Sequence, residues 1–273
     1  QIVTTTDTSP SSADLLRPHS YNPTVPIPTG TSLYDAIRLM IRVKAHRCPI
    51  VDNNDTATTT TSDNNSDNNH MKNIVGVLTQ ASIVQFLCRH MDTMIGLSRE
   101  HVGNLHLGTR PVITVPKHMR AIDAFKVMHE HGISGLGVID PSGILIGNLS
   151  ARDLKHLDMN NIHGCMNASA SSFIQRVRAN LINIVHPAIS CTDDTELGFV
   201  IGRLTTNRIH RLYICDRELK PVGVISLRDV LTCVMNRIDR DLVMRERLSE
   251  EETKIHHHIE HQQHPQQQQE SSS

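Results

Sequence analysis

Three segments of this chain repeat one pattern, and that recurrence restricts the fold more than any other feature. Aligned on the aspartate that closes a short apolar run, the first copy reads SLYDAIRLMIRVKAHRCPIVD. It resumes, after an Asn/Thr-rich insertion, as IVGVLTQASIVQFL. The second copy reads AIDAFKVMHEHGISGLGVIDPSGILIGNLSARDLKHL, and the third ELGFVIGRLTTNRIHRLYICDRELKPVGVISLRDVLTCVM. The interval from Asp140 to Gly147 equals that from Asp216 to Gly223, and each glycine is followed at one fixed distance by Asp153 or Asp229. After Gly76 the first copy keeps step, but Ser82 stands where the others have aspartate.

Each copy predicts the same element order. Leu33, Ile37, Met40 and Ile41 recur at helical spacing, as do Ile122, Phe125, Val127 and Met128 less regularly. A short apolar strand follows (CPIV, LGVI, LYIC), then a turn and a second strand (IVGVL, ILIGNL, PVGVIS). A closing helix is expected just after Ser or Thr, residues whose side chains cap free amides. One helix-strand-turn-strand-helix unit is too small to cover both faces of its sheet, so the copies should pair in an α+β fold. The expected layout is a mobile lead-in at 1–23, then repeat units at 24–92, 108–158 and 186–236, the last pairing with the second. An insertion at 53–73 and a His/Gln-rich tail at 248–273 are too polar to build a core.

Composition narrows the function by exclusion. With 27 Lys and Arg against 28 Asp and Glu, no general field draws the chain to nucleic acid or to anionic membrane. Aromatics are 3% and Trp is absent, which argues against base-stacking platforms. The six cysteines form no C-x-x-C pair, the usage of a reducing compartment, so a cytoplasmic or nuclear setting is expected. No apolar run reaches the ~18 residues of a membrane span. No Gly-rich phosphate loop, nucleophile elbow or paired-Cys zinc pattern appears, so no catalytic residue and no metal ligand is assigned. HHHIEHQQH in the tail reads as a solvated low-complexity stretch before it reads as a chelator. The chain begins at Gln1 and not at Met, which leaves room for sequence upstream.

Two small constellations carry possible chemistry. Ser150-x-x-Asp153 and Ser226-x-x-Asp229 lie where a strand runs into a helix N-terminus. The acid there caps the helix, or accepts the two hydroxyls of a ribose, and the two readings are compatible. His46-Arg47 and His210-Arg211 enter a strand at one offset before its closing aspartate, where copy two has Ser134-Gly135. Such a pair is either a solvated edge charge or a phosphate contact, since guanidinium offers two donors in a fork and histidine one more.

These residues resemble the motifs of the cystathionine-beta-synthase (CBS) family, whose β-α-β-β-α units pair into a Bateman-type module with adenosyl ligands in the clefts. More narrowly, their order and spelling are similar to the gamma regulatory subunit of AMP-activated protein kinase, over roughly Pro23 to Met235. The three copies resemble that subunit's second, third and fourth motifs, and no counterpart of its first is visible before Pro23. The resemblance implies a non-catalytic subunit that senses AMP, ADP or ATP beside catalytic alpha and beta-type kinase subunits. It implies ribose contacts from Asp153 and Asp229, phosphate contacts from His46, Arg47, His210 and Arg211, and polar lining from Ser134, Ser150 and Ser226. Ser82 agrees with a second motif that lacks the ribose acid. One departure is Gln80-Ala81-Ser82, where that motif carries basic residues after its Leu-Thr. The alternative is a stand-alone CBS-domain protein that regulates or scaffolds a phosphatase, transporter or enzyme.

Overall fold

The repeat is carried out in three dimensions, with a short leading strand added to each copy. Copy one holds β1 (Ile27–Pro28), α1 (Leu33–Arg42), β2 (Arg47–Val51), β3 (Ile74–Thr79) and α2 (Gln80–Arg89). A 3-10 turn (Met91–Met94) and the one-turn helix α3 (Ile95–Ser98) lead to copy two. That copy has β4 (Thr114–Pro116), α4 (Ala121–Glu130), β5 (Gly135–Ile139) and β6 (Leu145–Ser150), followed by α5 (Ile162–Asn167) and α6 (Ala170–Ala179). Copy three comprises β7 (Ser190–Cys191), α7 (Leu197–Thr206), β8 (Arg211–Cys215), β9 (Pro221–Ser226) and the start of α8 (Leu227–Gln263). The structure, a computed structural model, describes residues 24–52, 73–157, 159–179 and 188–263. The expected lead-in, nearly all of the insertion and the end of the tail lie outside them.

Each copy forms its own three-stranded sheet, with the leading strand parallel to the middle one and the last antiparallel to it. The register is the same every time: Arg47 faces Thr79, Gly135 faces Ser150, and Arg211 faces Ser226. Each hairpin slips once near its far end, at Ile50/Val51, Val138/Ile139 and Ile214/Cys215. The aspartate used for alignment has a structural task there. Oδ1 of Asp140 accepts the N–H groups of Ser142 and Ile144, and Oδ1 of Asp216 those of Glu218 and Lys220, all at 2.9 Å. Short-range capture of backbone amides by Asp is what makes a tight turn of this kind.

The exit from the first helix is equally uniform. Lys44, Gly132 and Arg208 each adopt positive φ (57°, 64° and 51°). The next N–H reaches back six residues inclusive, from Ala45 to Met40, Ile133 to Met128 and Ile209 to Leu204. This is the left-handed helix stop that satisfies terminal carbonyls, and it sets the chain on course so that the following residues enter the middle strand. α1 is started as firmly: the Ser32 hydroxyl accepts the Asp35 N–H at 3.1 Å, and Ala36, Ile37 and Met40 face the core.

Copy two departs from the expected pattern. After Ser150 the chain makes a 3-10 helix (Ala151–His156), not an α-helix, and Leu157 turns extended. The Asn160-Asn161 pair that follows is poor helix material. The sheet is covered instead by α6, whose Phe173, Ile174 and Val177 join Leu136, Val138 and Leu149 in one core. Phe173 meets Phe125 of α4 edge-on at 5.5 Å between ring centroids.

Copies two and three meet through their sheets. Buried Tyr213 donates its hydroxyl to Oδ1 of Asn148 at 2.7 Å, and the Leu145 N–H reaches the Leu219 carbonyl at 3.1 Å. Copy one is held differently, by packing of α2 on α7. Its β3 leaves Ile74, Val75 and Val77 exposed. Residues from Thr232 onward form a second unit. Within it the chain is helical through Gln263, with an Arg237–Asp241 ion pair one turn apart and Leu242, Val243, Met244 and Leu248 exposed.

Candidate functional site

Two motifs far apart in sequence turn out to be one corner, repeated three times. The N–H just after the Ser/Thr cap donates to the carbonyl just before the middle strand: Gln80 to His46 (3.1 Å), Ala151 to Ser134 (3.0 Å) and Leu227 to His210 (3.3 Å). The common hairpin register makes this unavoidable, because the strand that begins at Arg47, Gly135 or Arg211 lies opposite the strand that ends at the cap.

The capping reading of the acids holds. Oδ2 of Asp153 accepts the Ser150 N–H at 2.7 Å, and Oδ2 of Asp229 accepts both the N–H and the hydroxyl of Ser226 at 2.7 Å. In copy one Thr79 and Ser82 cap each other reciprocally at 3.1 and 3.0 Å. A hydroxyl therefore suffices for the cap. What Asp153 and Asp229 bring beyond Ser82 is negative charge beside cations.

The corners converge across copies. Arg211 crosses to copy two, where Nη2 donates to the Ser134 hydroxyl at 2.8 Å. A Cβ at Gly135 would sit 1.8 Å from Nη1 of the same guanidinium, so any larger residue there would push the guanidinium off this position. Ser134-Gly135 is thus the seat for copy three's arginine, not a degenerate His-Arg pair. The charge of Asp153 acts on this guanidinium and opposes the lowering of its pKa by burial. His46 and His210 each feel the charges of Arg47 and Arg211, and His210 feels that of His46 as well.

Two members escaped the sequence reading. Nη1 of Arg152 lies 3.5 Å from Nε2 of His210, and Arg228 is the charge that acts most strongly on His46. Both are the residue before the acid in Ser-x-Arg-Asp, and their identity in two copies was the available signal. Gln80 proves structural. It is 4% exposed, donates Nε2 to the Ala45 carbonyl at 2.9 Å, and hydrogen-bonds the His46 side chain.

Both histidines have pKa values lowered from 6.5, first by burial and then by arginine charge, with Arg228 leading at His46 and Arg152 at His210. They are therefore neutral at pH 7. The unfolded chain binds protons on these residues at higher pH than the folded one, so folding is disfavoured as pH falls below 6.5. A bound anion reverses the local balance by stabilising imidazolium. Inorganic phosphate is accordingly expected to bind with proton uptake below that pH, and His46→Gln with His210→Gln should abolish the uptake. Titration calorimetry in two buffers of different ionisation enthalpy checks this; identical heats in both would contradict it.

Other groups do not compete for the chemistry. Burial raises the thiols of Cys48 and Cys215 and pushes Cys191 up to about 12, the last with help from Cys215 and Asp193, so these sulfurs stay protonated. Among the described residues no group of three or more His, Cys, Asp or Glu is placed to hold a metal ion. An open pocket of about 350 Å³ lies on the seam of copies two and three, lined by Leu145, Ile189, Ser190, Arg203, Cys215 and Leu219. It sits at the far end of β8 from Arg211, a strand's length from the cations.

Comparison with known proteins bears on the fold and on what the chain is similar to. Residues 102–160 and 181–236 match the CBS domain. The chain is 25% identical over 233 residues to the SNF1-related protein kinase regulatory subunit gamma-1-like of Arabidopsis thaliana, covering 81% of this chain and 48% of that protein. It is 27% identical over 228 residues to the 5'-AMP-activated protein kinase subunit gamma of Dictyostelium discoideum, covering 81% and 36%. The chain thus spans half or less of the length of these relatives. Among solved structures it is similar to protein MJ1225 of Methanocaldococcus jannaschii, with a TM-score of 0.56, 18% identity and coverage of 77% of this chain and 66% of that one. An uncharacterised conserved protein of Pyrococcus horikoshii gives a TM-score of 0.55 at 18% identity, covering 78% and 79%. These two likenesses bear on the fold.

Proposed function

We propose that this chain, which carries a pair of CBS domains and is similar to gamma subunits of AMP-activated protein kinase, is a non-catalytic regulatory subunit that binds adenine nucleotides. What supports the reading is the crossing of Arg211 from copy three to Ser134 of copy two, with His46, Arg47 and His210 within electrostatic reach of one another's copies, beside the helix starts that bear Asp153 and Asp229. Cations and helix N-termini are suited to phosphate, and a carboxylate next to them is suited to vicinal ribose hydroxyls. AMP, ADP and ATP share the ribose and differ in phosphate number, so a corner of this kind distinguishes them by charge. Relative affinity in two conformations then passes the nucleotide state to a bound kinase.

Asp229→Ala tests the ribose contact. AMP affinity is expected to fall by about tenfold or more, the loss of one charge-assisted hydrogen bond. Inorganic phosphate affinity should not fall. Calorimetry that finds unchanged AMP affinity removes Asp229 from the site. Copurification with catalytic alpha and beta-type kinase subunits tests the partnership separately. Intact nucleotide binding without such copurification would favour a CBS regulator of another protein.

A further inference from the structure

Copies two and three meet through the same face of the repeat, and copy one leaves that face open. By the shared hairpin register, Gly137, Leu145 and Asn148 of copy two correspond to Tyr213, Pro221 and Val224 of copy three, and to Pro49, Ile74 and Val77 of copy one. A Cβ at Gly137 would lie 3.3 Å from Cε1 of Tyr213, so this position faces its own equivalent across the seam. Leu145 donates its N–H to the Leu219 carbonyl. In exchange Gly143, the equivalent of Leu219, lies beside Lys220, the neighbour of Pro221. Swapping the two copies therefore swaps the contacts, which is the property of a twofold pairing of like surfaces.

In copy one this face carries apolar side chains that stand in solvent. Ile74 is 67% exposed and Val77 57%, whereas Leu145, Asn148, Pro221 and Val224 are half-buried. Contiguous apolar surface of this kind marks a site of association. Pro49, Ile74 and Val77 bear no charge, so two such faces approach without repulsion. No run of this sequence outside the described residues is long enough for a fourth unit, since the longest, 1–23, is less than half the length of 108–158. A second copy of the chain supplies the matching face.

We propose that copy one is a dimerisation unit: two copies of this chain pair through Pro49, Ile74 and Val77 about a twofold axis, as copies two and three pair within one chain. The turn contact made by Leu219 is not carried over, because the insertion stands in that turn of copy one. The apolar face alone then holds the dimer, and a dissociation constant on the order of micromolar is expected. Pairing of this kind needs no nucleotide.

Sedimentation equilibrium of the full chain, from about tenfold below that constant to about a hundredfold above it, tests the pairing. The unaltered chain should pass from monomer to dimer over this range. Val77→Asp and Ile74→Asp should each raise the dissociation constant about a hundredfold or more, since the twofold places each carboxylate in the interface twice. Both side chains are exposed in the single chain, so denaturation midpoints measured on the monomer should not fall. Val243→Asp removes another exposed apolar side chain, on α8 and outside the face, and should leave the dimer intact. A chain that stays monomeric throughout overturns the proposal and leaves the face to a unit from a different protein. A dimer insensitive to Val77→Asp and Ile74→Asp, or one lost equally in Val243→Asp, overturns it too. Titration with AMP keeps the two readings apart: a dimer that behaves as expected but binds no AMP refutes the nucleotide assignment and leaves the interface standing.

Discussion

Tyr213→Ala is expected to destabilise the first unit by about 4 kcal/mol, the cost of removing a buried aromatic ring without a substitute. Tyr213 is 2% exposed, and its ring comes from copy three while its hydroxyl bonds Asn148 of copy two. A Cβ at Gly137 would lie 3.3 Å from this ring, so copy two's strand is already shaped to receive it. The ring is therefore the plug between the paired sheets, and deleting it opens a cavity that neither backbone can close. Tyr213→Phe keeps the ring and loses only the bond to Asn148, so it should cost about 1 kcal/mol. Urea denaturation of the three proteins measures both numbers. A loss below about 1 kcal/mol for the alanine variant would mean that the sheets do not depend on this ring.

Gly135→Ala should weaken nucleotide binding about a hundredfold, as much as Arg211→Ala does, although Gly135 bears no functional group. The added methyl would stand 1.8 Å from Nη1 and 2.4 Å from Cζ of Arg211, and 2.9 Å from the Leu149 carbonyl oxygen. The guanidinium end is flexible and the carbonyl is not, so Arg211 is the group that yields and its bond to Ser134 is lost. A hydrogen bond between charged groups contributes up to about 3 kcal/mol, which corresponds to roughly a hundredfold. Adenosine, with no phosphate, should bind both variants and the unaltered chain alike. If Gly135→Ala binds AMP as tightly as the unaltered chain, Arg211 does not hold phosphate from its position over copy two.

The two variants mark the limit of what spacing discloses. The element order, the turn aspartates and the capping serines were legible because each is a local bargain between a side chain and backbone within a few residues. Asp140 and Asp216 catch amides two and four residues on, and the Ser226 hydroxyl accepts the Asp229 N–H of its own helix. The closing element of copy two was misread because SARD signals a helix start but not its length. Downstream asparagines and the competing cover of α6 decided that. The site was half legible. His-Arg and Ser-x-x-Asp stood out by recurrence, whereas Arg152 and Arg228 were not legible because the histidines they act on belong to other copies.

Recurrence at fixed intervals determined by itself that the chain folds as three like units, each with its acid and its cations at the same place in a hairpin. Those relations are short in sequence, and hydrogen bonds of one or two turns enforce them. Only the tertiary structure decided which unit's cation meets which unit's receptor: Arg211 over Gly135, Arg152 beside His210, Arg228 acting on His46. Such pairings depend on how one sheet packs against another, through contacts such as Tyr213 to Asn148 separated by 65 residues, and no local pattern encodes them.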